Sequence, residues 1–189
     1  EINSRGEFLT AYCGDTYSDH GKMQAIFEYC SMMGELLDAE VVSYTTYDAS
    51  QSVASSLRMA LRIKEAEGRS KDTLLIPSTM NPEIVSQVTQ YVGRSIKIIK
   101  VECDKKSGLM DLADLSAKLK ENKTAAVFYE NPSYLGFFET QAEGIADRAH
   151  QYDALCVAQP ETASLGIVES PLNLGADLVC GDIQPLGMH

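Results

Sequence analysis

The chain has 189 residues, 44% of them hydrophobic, and a formal net charge of -11. That length and apolar content suffice for one well-packed domain, or two at most. The acidic balance, spread along the chain, makes nucleic acid and anionic membranes poor partners, and no apolar run approaches the roughly 20 residues of a membrane span.

Five cysteines without a CxxC pair fit reduced thiols and a cytoplasmic protein better than a disulfide framework. No signal-peptide pattern opens the chain, and Glu1 in place of Met leaves room for a segment upstream. His20, His150 and His189 have no metal-ligand spacing among themselves or with the cysteines, so no metal is expected. Neither a Gly-x-Ser-x-Gly elbow nor a phosphate-binding P-loop is present.

The predicted elements begin after Cys13–Gly21. Met23, Ile26, Phe27, Cys30, Met33 and Leu37 recur at helical spacing. Their sulfur-rich stripe reads as ordinary core, since Met and Cys pack as adaptable hydrophobes. His20 reads as a surface loop residue. Asp48-Ala-Ser-Gln51 offers an N-cap carboxylate with Gln at N3, and Val53, Ala54, Leu57 and Leu61 continue a helix. A helix start can hold a phosphate on its unpaired N–H groups, here at Ser50 and Gln51. Asp48 would repel an anion, so a plain capped helix is the other reading. Lys64–Lys71 reads as a solvated helix end and loop.

Thr73–Pro77 is a predicted strand. Asn81-Pro82 supplies an N-cap and an N1 proline for a helix bearing Ile84, Val85, Val88 and Val92. Ser95–Val101 is the next strand, and Asp111–Asp114 caps a helix with Leu112, Leu115 and Leu119. Lys123–Glu130 is a short apolar run of buried-strand type. Thr140-Gln-Ala-Glu143 reads as a capping box for a helix with Ala142, Ile145, Ala146 and Ala149 on one face. Strands at Ala154–Ala158 and Asp177–Gly181 follow. This alternation predicts βαβ units, hence a three-layer α/β sandwich on a mostly parallel sheet.

Ligands on such sheets sit beyond the carboxyl ends of the strands. That places Glu130–Gly136, Gln159–Glu161 and Asp182–Gly187 on one rim. Tyr134, Leu135, Phe137 and Phe138 make this rim aromatic in a chain with few aromatics; they either meet a partner or pack under the following helix. Glu161 reads as a polar strand-end residue or as a ligand-facing carboxylate.

Ser4–Tyr12, Met23–Tyr29, Asn131-Pro-Ser-Tyr-Leu-Gly136, Ser164-Leu-Gly166 and Gly175–Gly187 together resemble the alpha subunit, or subunit 1, of the glycine-cleavage-system P-protein family. The resemblance implies the large domain of fold-type-I pyridoxal-phosphate enzymes. It implies residues 1–22 as a lead-in, 23–189 as the large α/β domain, and a small C-terminal domain absent from this chain. The implied reaction is glycine decarboxylation with aminomethyl transfer to the lipoyl group of the H-protein. By the same resemblance the start of the Ala49 helix (Ser50, Gln51) is the cofactor-phosphate position, Asn81 the ring position and Glu161 the ring-nitrogen position. The family's usual Tyr-Asp-Gly is Tyr47-Asp48-Ala49 here, its histidine is replaced by Asn81, and its Pro-Tyr-Gln-Pro-like stretch is replaced by Cys13–Gly21. The anchoring lysine of the family's second subunit corresponds to Gln184 or Pro185, and no lysine follows Lys123. This implies no catalytic residue on this chain, and pyridoxal phosphate held covalently by the beta subunit (subunit 2). The alternative is a non-catalytic paralogue that acts as a structural or interaction partner of a lysine-bearing subunit.

Overall fold

The computed structural model describes residues 1–9 and 19–187. Much of the Cys13–Gly21 stretch, the end of the Ser4–Tyr12 match and His189 therefore lie outside the described residues. The chain divides into two compact units, Glu1–Thr45 and Thr46–His189.

In the first unit, α1 runs over His20–Leu37. His20 thus opens a helix rather than sitting in a loop. The expectation of a buried sulfur-rich stripe is corrected here. Only Met33 and Leu37 are buried, whereas Met23 and Phe27 are about two-thirds exposed, at 65% and 66%. Among the described residues of this unit, two single-turn helices, Ile2–Ser4 and Gly6–Phe8, offer little apolar surface to lay against an 18-residue helix.

The second unit follows the predicted alternation. Helix α2 (Ala49–Ala66) leads into β1 (Thr73–Pro77), then α3 (Pro82–Val92), β2 (Lys97–Val101), α4 (Leu112–Glu121), β3 (Thr124–Asn131), α5 (Ala142–Gln151), β4 (Leu155–Pro160) and β5 (Leu178–Val179). Among the described residues all four strand pairs are parallel, in the order β2-β1-β3-β4-β5. Side chains alternate across the pleat, and the two faces carry separate cores. Leu74, Ile76, Ala126, Phe128 and Val157 pack with Val53, Leu57 and Ala60 of α2 and with Ile84, Val88 and Val92 of α3. Leu75, Val127, Tyr129, Cys156 and Ala158 pack with Leu115 and Leu119 of α4 and with Ile145 and Ala149 of α5. Helix layer, sheet, helix layer is the three-layer sandwich expected from the sequence. β3 lies in the middle of the sheet and is buried along its whole length, which explains its unbroken apolar run.

Three local expectations are corrected. The strand at Asp177–Gly181 is shortened to Leu178 and Val179. Beside it the Asp177 and Cys180 N–H groups still donate to the Cys156 and Ala158 carbonyls of β4 at 2.8 and 2.9 Å, and Asp177 Oδ2 accepts from the Cys156 N–H at 2.7 Å. The Thr140–Glu143 capping box does not form. Helix α5 begins at Ala142, and its N-cap Gln141 makes no side-chain cap bond. Buried Glu139 takes over, accepting from Gln141 N at 3.1 Å and from Met110 N at 2.8 Å. The Lys64–Lys71 connector is not wholly solvated either. Lys64 is 4% exposed and pairs with Asp153 at 2.9 Å. Among the described residues, no helix is long and apolar enough to cross a membrane.

Candidate functional site

The carboxyl ends of β1, β3, β4 and β5 converge on one rim of the second unit, and hydrogen bonds between loops bind it together. At one end, the Gly181 N–H donates to Ser52 Oγ in the first turn of α2 at 3.3 Å. Thr162 Oγ1 donates to the Asp182 carbonyl at 3.2 Å. The Glu161 N–H donates to the Asn131 carbonyl at 3.0 Å. Glu130 completes the series, accepting from Tyr134 N at 3.2 Å and, at the outer limit of 3.5 Å, from Asn81 N at the start of α3. The rim thus runs from the N-terminus of α2 to that of α3. Both helices are capped as their sequences predict.

The four predicted site residues all lie on this rim, and three of them make cap contacts. Gln51 gives its N–H to Asp48 Oδ1 at 2.7 Å, and its Oε1 accepts from Tyr47 N at 3.2 Å. Ser50 stands one position earlier, where a first-turn N–H has no carbonyl partner within the helix. Asn81 Oδ1 accepts from Glu83 N at 2.9 Å. Glu161 Oε2 accepts from Ser164 N at 2.7 Å, capping the short 3-10 helix Thr162–Gly166.

Three further rim groups were not singled out in the sequence. Glu130 is 7% exposed, and burial holds its carboxyl above the usual range against the opposing pull of the Tyr134 and Asn81 N–H groups. Gln159 stands in register with Glu130 on the neighbouring strand, so the two side chains leave the sheet on the α2/α3 face. Gln159 Oε1 and Ser133 Oγ are buried without a hydrogen-bond partner among the described residues. The legible signal was an acid closing the Thr124–Tyr129 apolar run, and an amide at the same point of the next strand.

These open atoms, one hydroxyl and one amide oxygen acceptor, fit non-covalent contact with a polar group. The Ser133 hydroxyl and the Gln159 amide oxygen are buried without partners, and such atoms are costly unless a ligand or water meets them. Covalent attachment does not fit at the end of β5, where Gln184 and Pro185 stand and neither offers an amine. Tyr134, Leu135 and Phe138 are 57%, 63% and 41% exposed, so most of the aromatic rim faces outward. Phe137 turns inward, its ring over Gly108, where an added Cβ would lie 2.5 Å from it. Among the described residues, no cluster of acidic, histidine or cysteine side chains could hold a metal ion.

The family model described as glycine cleavage system P-protein matches residues 1–189. The "Probable glycine dehydrogenase (decarboxylating) subunit 1" of Staphylothermus marinus is 40% identical over 187 residues, covering 98% of this chain and 39% of that protein. A crystal structure of glycine decarboxylase (P-protein) of the glycine cleavage system, in inhibitor-bound form, superposes with a TM-score of 0.81 at 30% identity, over all of this chain and 40% of the other. A Bacillus subtilis ureidoglycine-glyoxylate aminotransferase shares the fold, with a TM-score of 0.66 at 16% identity over 88% of this chain and 41% of that one. The chain spans about two-fifths of the length of the relatives it matches, and its architecture is that of the pyridoxal-phosphate-dependent transferases. With the matched model covering every residue, the chain belongs to the glycine cleavage system P-protein family.

Proposed function

We propose that this chain forms the large α/β domain of subunit 1 of a glycine-cleavage P-protein, acting in the cytoplasm. In this reading it works with a lysine-bearing subunit 2 to decarboxylate glycine and pass the aminomethyl group to the lipoyl arm of the H-protein. One observation carries the reading: the rim has its helix starts, its open polar atoms and its outward aromatics, while the segment after β5 holds Gln184 and Pro185, which offer no amine. Pyridoxal phosphate, bound through the partner's lysine, supplies the electron sink for decarboxylation.

This chain's residues then act as wall and orienting groups. The start of α2 offers the Ser50 N–H to an anionic group, while Asp48 keeps the Gln51 N–H engaged in the cap. By the family resemblance Asn81 would stand at the ring position and Glu161 at the ring-nitrogen position, and each side chain is held by its own cap bond. The Ser133 hydroxyl and Gln159 amide supply the open hydrogen-bonding atoms. Tyr134, Leu135 and Phe138 exclude water where the two chains meet. Sites of this kind at large apolar interfaces depend on both chains.

The test is reconstitution. Full-length subunit 1 and its lysine-bearing partner are purified separately, mixed with H-protein, and assayed for exchange of labelled bicarbonate into glycine. We expect no exchange from subunit 1 alone, and exchange on mixing. Equal exchange from the partner without subunit 1 would contradict the reading and favour a purely structural role.

A further inference from the structure

Glu130 is an acid at the buried end of the central strand, with 7% of its surface exposed. A carboxylate costs free energy in such a place unless strong donors surround it. Its donors are two backbone N–H groups at 3.2 and 3.5 Å, long for bonds to a charged acceptor, which normally close to about 2.7–2.9 Å. No lysine or arginine occurs in Ser78–Ile84, β3, the Asn131–Glu139 turn or β4. The other acids on the surrounding elements are Asp48, Glu83, Glu139 and Glu161. Asp48, Glu139 and Glu161 accept from backbone N–H groups elsewhere, while Glu83 is exposed. Tyr134 contributes its N–H.

We propose that Glu130 is a positioning residue: its carboxylate clamps the Ser133–Gly136 turn to the start of α3 and so sets how Tyr134 and Leu135 are presented. The statement that this presentation serves subunit 2 rests on the function proposed above. The clamp itself does not. Three features support it. The turn is closed by its own Gly136 N–H to Ser133 carbonyl bond at 2.8 Å, so it moves as a piece. Gly136 at φ +87° allows that closure without strain. Between these, the Tyr134 N–H has Glu130 as its acceptor. The residues thus presented are more than half exposed. Burial pushes the Glu130 carboxyl up, so ionising it costs more in the folded chain than in the unfolded one. That cost is absent below the unfolded carboxyl range and sets in as pH rises through the raised value. An acid that costs stability at the site where it orders an exposed turn fits a positioning role better than a packing one.

The experiment follows amide hydrogen exchange of Tyr134 and Asn81 in full-length subunit 1, together with thermal unfolding and affinity for subunit 2. Wild type is compared with Glu130→Gln, and with Glu83→Gln as an exposed control. In Glu130→Gln, where a single acceptor oxygen must serve both N–H groups, we expect the protection factor of Tyr134 or of Asn81 to fall about tenfold, the effect of losing one buried hydrogen bond. The melting midpoint at pH 7 should be no lower than wild type. Wild-type protection should decline as pH falls through the carboxyl range, while the variant stays flat and Glu83→Gln follows wild type. Unchanged protection of both Tyr134 and Asn81 in Glu130→Gln overturns the clamp. So does a melting midpoint that falls in proportion to the lost protection, because the residue is then ordinary packing. Lost protection with unchanged affinity for subunit 2 upholds the clamp and removes this rim from the interface, which is a failure of the proposed function instead.

Discussion

Asp153 gathers more charge than any sequence pattern suggested. It sits at φ +57° in the turn between α5 and β4, a conformation that Asp and Asn tolerate better than most residues. Its carboxylate meets Lys64 at 2.9 Å, Lys71 at 3.1 Å and Arg69 at 2.5 Å. The hydrogen bond from Lys64 is the largest cause holding its pKa down to about 2. Lys64 is 4% exposed, and a buried ammonium needs a partner. Since the folded value lies below the unfolded one of about 4, the stabilisation is present above pH 4 and fades as pH falls toward 2. Asp153→Asn keeps the backbone conformation and removes the charge. It should cost roughly 1–2 kcal/mol at pH 7, discounted because Asp153 is itself 38% exposed on its side chain. Urea unfolding of both proteins at pH 7 and pH 3 checks this: the gap should narrow at the lower pH. None of this was legible in the sequence. Lys64 and Asp153 stand 89 positions apart, and a lysine at a helix end reads as solvated until its partner is located.

Caps are the elements that the sequence dictates best. Asp48, Asn81 and Asp111 each accept from backbone N–H groups two or three residues ahead, so the contact is settled within one turn of chain. The Thr140 box has the same local credentials and fails. Glu139 reaches Met110 N, 29 residues back, and in the same place takes the Gln141 N–H. A long-range bond to a buried acid outcompeted a local one. The α1 stripe fails for a related reason, since helical period marks an apolar face without naming what covers it. Asp48→Ala removes the acceptor for Gln51 N and should destabilise the chain by about 1 kcal/mol. Chemical denaturation against wild type measures it. A loss below about 0.3 kcal/mol would mean that Gln51 Oε1 on the Tyr47 N–H holds this helix start alone.

At the scale of the molecule, apolar runs separated by capped helices were enough to specify a parallel three-layer sheet, because crossover helices must cover both faces. The strand order and the two-residue β5 were not legible, since register depends on which faces pack. The rim was legible as a place, from the ends of Glu130, Gln159 and the Asp182 segment. Its strongest features, the buried Glu130 carboxyl and the open Gln159 and Ser133 atoms, needed the fold, because burial is a property of neighbours. Gln184 and Pro185 after β5, neither of which carries an amine, were legible in the sequence directly.

That division between a wall here and an anchor on the partner is the central claim. It is tested most directly by mapping where the cofactor is held. The complex of full-length subunit 1 with subunit 2 is loaded with pyridoxal phosphate, reduced with borohydride, digested and sequenced by mass. The account predicts one stoichiometric phosphopyridoxyl-lysine on subunit 2, and only scattered, substoichiometric labelling of surface lysines in this chain. A stoichiometric adduct on one defined lysine of this chain would contradict it.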